Sequence, residues 1–252
     1  MYSLWSRHYR HSTVPPRGVL TTTNSQGLTT LSVYGESEAI IGKVHAIDHF
    51  ILDTKHPGGT SPGRSHANEI IEVAEHSFQL LDVTPEKPID VYYMHAPDPA
   101  TSIESTVEGI NELHKRGLIK RFGLSNYSAE QVREAYDTCK KHGYLLPTVF
   151  QGNYSAILRG TVEETLMPTL RELGISFYAY SPLAGGFLTK TKEQILAGQS
   201  GKGDDNSGRF VSGSMVGDIY LHLFNRPSYV DCLAKWAEIA NEAGISKADL
   251  GL

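Results

Sequence analysis

Between residues 50 and 186, short apolar runs alternate with amphipathic stretches, and every apolar run ends in a polar or ionisable residue. "FILDTK" (50–55) is followed by 66–82, where Ile70, Ile71, Ala74, Phe78 and Leu81 recur at helical spacing. "IDVYYMH" (89–95) precedes 102–116, with Ile103, Val107, Ile110 and Leu113 on one face and Gly117 at the C-cap. "IKRFGLSN" (119–126) precedes a capping box, Ser128 with Gln131, that opens a helix to His142. "PTVFQGN" (147–153) precedes a second box, Thr161 with Glu164, and a helix to Leu173 that Pro168 kinks or shortens and Gly174 stops. "ISFYAYSPLAGG" (175–186) is a fifth strand and its exit turn. Links of this length exclude hairpins, so the sheet is parallel.

A doubly wound sheet and a (β/α)8 barrel both satisfy this pattern. No GxGxxG follows any strand, so the dinucleotide fingerprint of the doubly wound class is missing. One histidine ending an apolar strand is as consistent with a satisfied ring as with a site. Here Lys55, His95, Ser125-Asn126, Gln151 and Tyr180-Ser181 all stand at C-terminal strand ends. In a barrel those ends share one rim, and that rim carries the chemistry.

With a net charge of −5, the 252 residues carry no electrostatic footprint for nucleic acid or an anionic membrane. No apolar run approaches the ~20 residues of a membrane span. Cys139 and Cys232 are far apart, which argues against a disulfide framework or a metal site and for a reducing, cytoplasmic setting. The first 31 residues contain Arg7, Arg10 and Arg17 but no acidic residue. They read as an irregular or disordered tail ahead of one domain, 32–252. A mitochondrial targeting segment is the minor alternative, which Pro15-Pro16 opposes.

The stretches "YGESEAIIG" (34–42), "LDTK" (52–55), "VYYMHAPD" (91–98), "RFGLSNYS" (121–128), "PTVFQGNYSA" (147–156) and "FYAYSPLAGGFLT" (177–189) resemble the aldo-keto reductases, most closely the aflatoxin-aldehyde reductase branch. The resemblance implies a (β/α)8 TIM-barrel type fold and NADPH-dependent reduction of an aldehyde or ketone, including as one step of secondary-metabolite biosynthesis. It implies Tyr34, Lys55 and His95 as catalytic residues. A lysine ammonium beside a tyrosine favours the phenolate and so makes the phenol a readier proton donor. A histidine can orient the carbonyl oxygen by a hydrogen bond. The same resemblance implies Ser125, Asn126 and Gln151 at the nicotinamide carboxamide, Tyr180 stacked on its ring, and Ser181, Leu183 and Gly185 along the pyrophosphate. It implies a small carbonyl substrate as partner and is compatible with a homo-oligomer.

Two departures stand against it. The family's fourth catalytic residue, an aspartate five residues before the tyrosine, is Thr29 here, which leaves Lys55 without its carboxylate partner. The family's first strands and its eighth have no recognisable counterpart, so an incomplete barrel of five clear strands is expected. Replacement strands from the tail or from a second chain would be ways to complete it. These departures support an alternative: a non-catalytic relative acting as a binding or regulatory subunit. Residues 198–227, rich in Gly and Ser, are expected to lie over the site or to form a solvated loop.

Overall fold

The computed structural model describes residues 27–30, 36–202 and 209–252. They divide into two compact units, one formed by the chain up to Gly152 with Glu163–Tyr178, the other by Asn153–Val162 with Ala179–Leu252.

The first unit is built on a sheet whose strands follow the chain: β1 (Gly27–Thr29), β2 (Ile51–His56), β3 (Ile89–Met94), β4 (Ile119–Ser125), β5 (Pro147–Asn153) and β6 (Ser176–Tyr180), in that order. Each pair from β1·β2 to β4·β5 is parallel. Helices α1 (Ser37–Lys43), α2 (Ala67–Leu80), α3 (Ile103–Lys115), α4 (Ala129–His142) and α5 (Met167–Leu173) connect them. Sequential parallel strands with a helix in each link are the pattern of part of a (β/α)8 barrel. Ile89, Val91, Tyr92, Tyr93 and Met94 of β3 are all fully buried, as in a sheet covered on both faces. On the helix side, α2 packs Phe78 edge-on against Tyr92, with centroids 5.6 Å apart.

Among the described residues there are six strands where the sequence suggested five. β1 lies inside the stretch read as a tail; the rest of that stretch, residues 1–26 and 31, is outside the described residues. Three residues carry no readable period. Gly27–Thr29 is a strand because it pairs with Ile51–Asp53, a tertiary interaction.

Ser128 caps α4 as expected: its Oγ accepts from Gln131 N at 3.3 Å, and Gln131 Oε1 accepts from Ser128 N at 2.9 Å. The helix ends on Gly143 at φ 65°. Helix begins beside the second box, at Gly160. A π turn, Val162–Leu166, runs directly into α5, with Pro168 in that helix's first turn. Proline cannot donate to the preceding turn, and a wider turn just before it accommodates the missing donor.

In the second unit, α6 (Lys192–Gln199), α7 (Met215–Phe224) and α8 (Pro227–Glu242) enclose a core of Ala184, Phe187, Leu188, Ile195, Phe210, Phe224 and Leu233. The Gly- and Ser-rich segment therefore includes a helix, α7, capped by Ser214 Oγ accepting from Gly217 N at 3.0 Å. Phe210 and Phe224 anchor it. Both cysteines are free, Cys139 buried in α4 and Cys232 exposed on α8. Among the described residues no helix is long and apolar enough to cross a membrane.

Candidate active site

Strand register sets the geometry of the first unit's rim. Lys55 pairs with Tyr93, Tyr93 with Gly123, and Gly123 with Val149, so these four form one level across β2 to β5. Side chains on a strand alternate faces. Val91, Tyr93 and Val149 cluster together on the face they share. Two residues further along, on that same face, stand His95, Ser125 and Gln151. His95 N donates to His56 O at 3.0 Å, and Ser125 pairs with Gln151.

Lys55 is 3% exposed. Its Nζ donates to Thr30 O at 3.4 Å and sits 5.3 Å from the Tyr93 ring centroid, a cation–π contact. Burial pulls the ammonium down to about 8, while the carboxylates of Asp53 and Glu38 push the other way. The Tyr93 ring reaches this position because β4 offers no side chain beneath it. A Cβ on Gly123 would lie 2.3 Å from Tyr93 Cδ1.

His95 is held neutral. Burial, and then the nearby Lys55 charge, push its imidazole down to about 4. Its Nδ1 is buried without a hydrogen-bond partner among the described residues. Asn126 fixes the adjoining loops. It adopts the left-handed conformation, φ 61°, which asparagine tolerates, and its Nδ2 donates to His95 O at 2.8 Å and to Ser125 Oγ at 3.2 Å. Ser125 and Gln151 are both buried.

Lys55 makes no ion pair with a carboxylate among the described residues, but the charges of Asp53 and Glu38 act on it. Asp53, two residues earlier on β2, is 7% exposed. Its Oδ1 accepts from Val91 N at 3.0 Å and its Oδ2 from Thr29 Oγ1 at 3.3 Å. Burial raises its carboxyl to about 6, with Asp90 adding to the rise; the Val91 bond, Lys55 and Arg121 counter it. The sequence reading missed Asp53, Tyr93 and Gly123. The signal for Asp53 was its spacing from Lys55, since residues two apart on a strand share a face. Tyr34 lies outside the described residues.

Tyr180, Ser181, Leu183 and Gly185 belong to the second unit. Tyr180 ends β6, and its carbonyl accepts from Tyr154 N at 3.2 Å. Ser181 turns the chain at φ 55°, and Ser181 O and Leu183 O accept from Ala184 N and Gly186 N. Gly185, at φ 67°, backs onto Tyr220: a Cβ there would stand 1.9 Å from Tyr220 Cε1. Arg209 Nη1 donates to the Tyr220 hydroxyl at 2.8 Å.

The model of the aldo/keto reductase family matches residues 29–252. The chain belongs to that family. It is 35% identical over 232 residues to oxidoreductase sirO of Leptosphaeria maculans, covering 91% of this chain and 67% of that protein. It is 40% identical over 146 residues to aflatoxin B1 aldehyde reductase member 4 of Homo sapiens, covering 58% of this chain and 42% of the human protein. Aldo-keto reductase pigE of Monascus ruber is 26% identical over 190 residues, 75% of this chain and 54% of that protein. The chain thus matches less than half the length of the human relative.

What this aldo/keto reductase carries on its first-unit rim is a buried cation beside a neutral imidazole, with a hydroxyl and a primary amide at the imidazole's level. A cation next to an unpartnered ring nitrogen suits a ligand on which negative charge develops at oxygen.

Proposed function

We propose that the chain is an NADPH-dependent reductase of aldehydes or ketones, with Tyr34, Lys55 and His95 at the reacting carbonyl. The observation that carries the reading is that Lys55 and His95 lie on one face of adjacent strands, the ammonium buried and the imidazole neutral. A neutral imidazole still has an N–H to donate to a carbonyl oxygen and adds no like charge to repel the neighbouring ammonium. Lys55 makes ionisation of a nearby phenol easier, so Tyr34 is read as the group that gives the alkoxide its proton.

The donor set fits a nicotinamide. Ser125 and Gln151 between them offer donors and an acceptor, as a carboxamide requires, and Asn126 holds the loop beside them. Tyr180, Ser181, Leu183 and Gly185 are assigned to the ring and pyrophosphate on family resemblance, and the turn they form is glycine-bearing, as close backbone approach to phosphate favours. Bound NADPH would supply the hydride. The site is tested by titrating the purified chain with NADPH, following nucleotide fluorescence, and then adding an aldehyde while the nicotinamide absorbance is recorded. Saturable binding followed by aldehyde-dependent loss of absorbance supports the reading. Absence of both refutes it.

One observation favours a second reading. Thr29 stands where the family has its aspartate. A chain that binds NADPH but never consumes it with any aldehyde would be a binding or regulatory relative.

A further inference from the structure

We propose that Asp53 is the counter-charge of Lys55: its carboxylate, two residues earlier on the same face of β2, acts on the ammonium across that face without touching it, in place of the carboxylate that position 29 of β1 lacks. The proposal rests on the reading of Lys55 as part of the active site. It deepens that reading by naming what keeps the lysine charged.

A buried ammonium needs a fixed counter-charge, because burial alone disfavours the charged form. Among the described residues two carboxylates influence Lys55, those of Asp53 and Glu38. Glu38 is bound on the other face of β2, to Thr54. Its Oε1 accepts from Thr54 at 2.6 Å and its Oε2 from Ser77 of α2 at 3.0 Å, which ties α1 to the helix side of the sheet. Thr54 and Lys55 are neighbours on β2, so their side chains leave the strand on opposite faces. Asp53 and Lys55 are two apart and share a face, about 6.6 Å along the strand. The groups holding Asp53 are neutral: the Val91 amide and the Thr29 hydroxyl. They orient the carboxylate without cancelling its charge.

Register explains why the residue at 29 is a threonine. Thr29 and Asp53 are direct partners across β1 and β2. A carboxylate at each position would put two like charges side by side, while a hydroxyl turns the same contact into a hydrogen bond. The charged groups acting on the pair are Asp90 of β3 and Arg121 of β4 on Asp53, and Glu38 of α1 on Lys55, whose own charge acts in turn on His95. Asp90 and Arg121 are ion-paired with each other, so Lys55 is the unmatched cation beside Asp53.

The test reads Lys55 directly. The full chain, labelled with 13C-lysine, is titrated by NMR, and the Lys55 Cε signal is assigned through Lys55→Met. Taking that strand spacing of about 6.6 Å as the charge separation, with an effective dielectric near 20, the attraction amounts to about one to two pH units. Asp53→Asn is therefore expected to lower the Lys55 midpoint by that amount, and Glu38→Gln by less. The exchange Thr29→Asp with Asp53→Asn should restore the midpoint, because it moves the carboxylate one strand sideways on the same face. An unchanged midpoint in folded Asp53→Asn, or an exchange variant that titrates like Asp53→Asn, overturns the proposal. If Asp53→Asn does not fold, the exchange variant decides: a Lys55 midpoint within half a pH unit of the native one upholds the proposal, and a lower one overturns it. A chain that fails to reduce aldehydes would refute the enzymatic reading and leave this titration intact as a test of the charge pairing.

Discussion

The Tyr93 ring lies across the backbone of Gly123 on the next strand, so close that any Cβ at 123 would fall inside it. Tyr93 is fully buried. Gly123→Ala therefore forces the ring away from β4 and from its contact with Lys55. Overpacking of this kind costs about 1–3 kcal/mol, to be read from urea unfolding. Because the two residues touch, adding Tyr93→Leu to Gly123→Ala should destabilise by less than the sum of the single changes.

His95 should resist protonation. In imidazole NMR its signals should stay those of a neutral ring to pH 5, and Lys55→Met should raise its midpoint by removing the neighbouring charge. His56, whose Nδ1 accepts from Gly58 N at 3.0 Å, is likewise pushed down to about 4, chiefly by burial. For both, the unfolded chain takes up the proton first, near the ordinary value of 6.5. Stability should thus fall as pH drops from about 6.5 toward 4. Asp53 works in the opposite direction: its folded value of about 6 exceeds the ordinary 3.8, so acid relieves its burial over that window. Asp53→Asn should steepen the acid loss, measurable as urea midpoints at a series of pH values.

Tyr34→Phe should abolish most carbonyl reduction and leave NADPH affinity nearly unchanged. On the proposed reading the phenol gives up its proton only as the alkoxide forms, so its removal should lower kcat far more than it alters nucleotide binding. Unaltered turnover would exclude Tyr34 as the donor.

Ser125→Ala and Gln151→Leu should each weaken NADPH binding. A neutral hydrogen bond is worth roughly 0.5–1.5 kcal/mol, or about 2- to 12-fold in Kd. Fluorescence titration reads this directly, and an affinity equal to that of the unaltered chain in both variants would remove these residues from the nucleotide site.

Much of this was legible in the chain before its structure. Strands from Ile51 to Tyr180 announce themselves as apolar runs, and Ser128 with Gln131 marks the start of α4 because the capping interaction is local. That Lys55 and His95 stand near the same edge of the sheet follows from each lying at the C-terminal end of its strand. What escaped was tertiary. β1 exists only through its pairing with β2. Asp53 reads as a polar interruption of a strand until Thr29 and Val91 are brought alongside it. The π turn before α5 and the helix α7 in a Gly- and Ser-rich segment are settled by Pro168 and by Phe224, through backbone and packing constraints that a residue tally does not register.

The placement of the two thiols makes the chain its own unfolding clock. Cys139 is sealed inside α4, and burial pushes its thiol up to about 12, so it reacts neither as a thiolate nor by contact. Cys232 is open to reagent from the start. A maleimide added to the native protein would mark Cys232 at once, and Cys139 only when α4 lifts from the sheet. The delay between the two labels, followed by mass, reports the opening of α4, the helix that follows Ser125 and Asn126 in the chain, with no substitution needed.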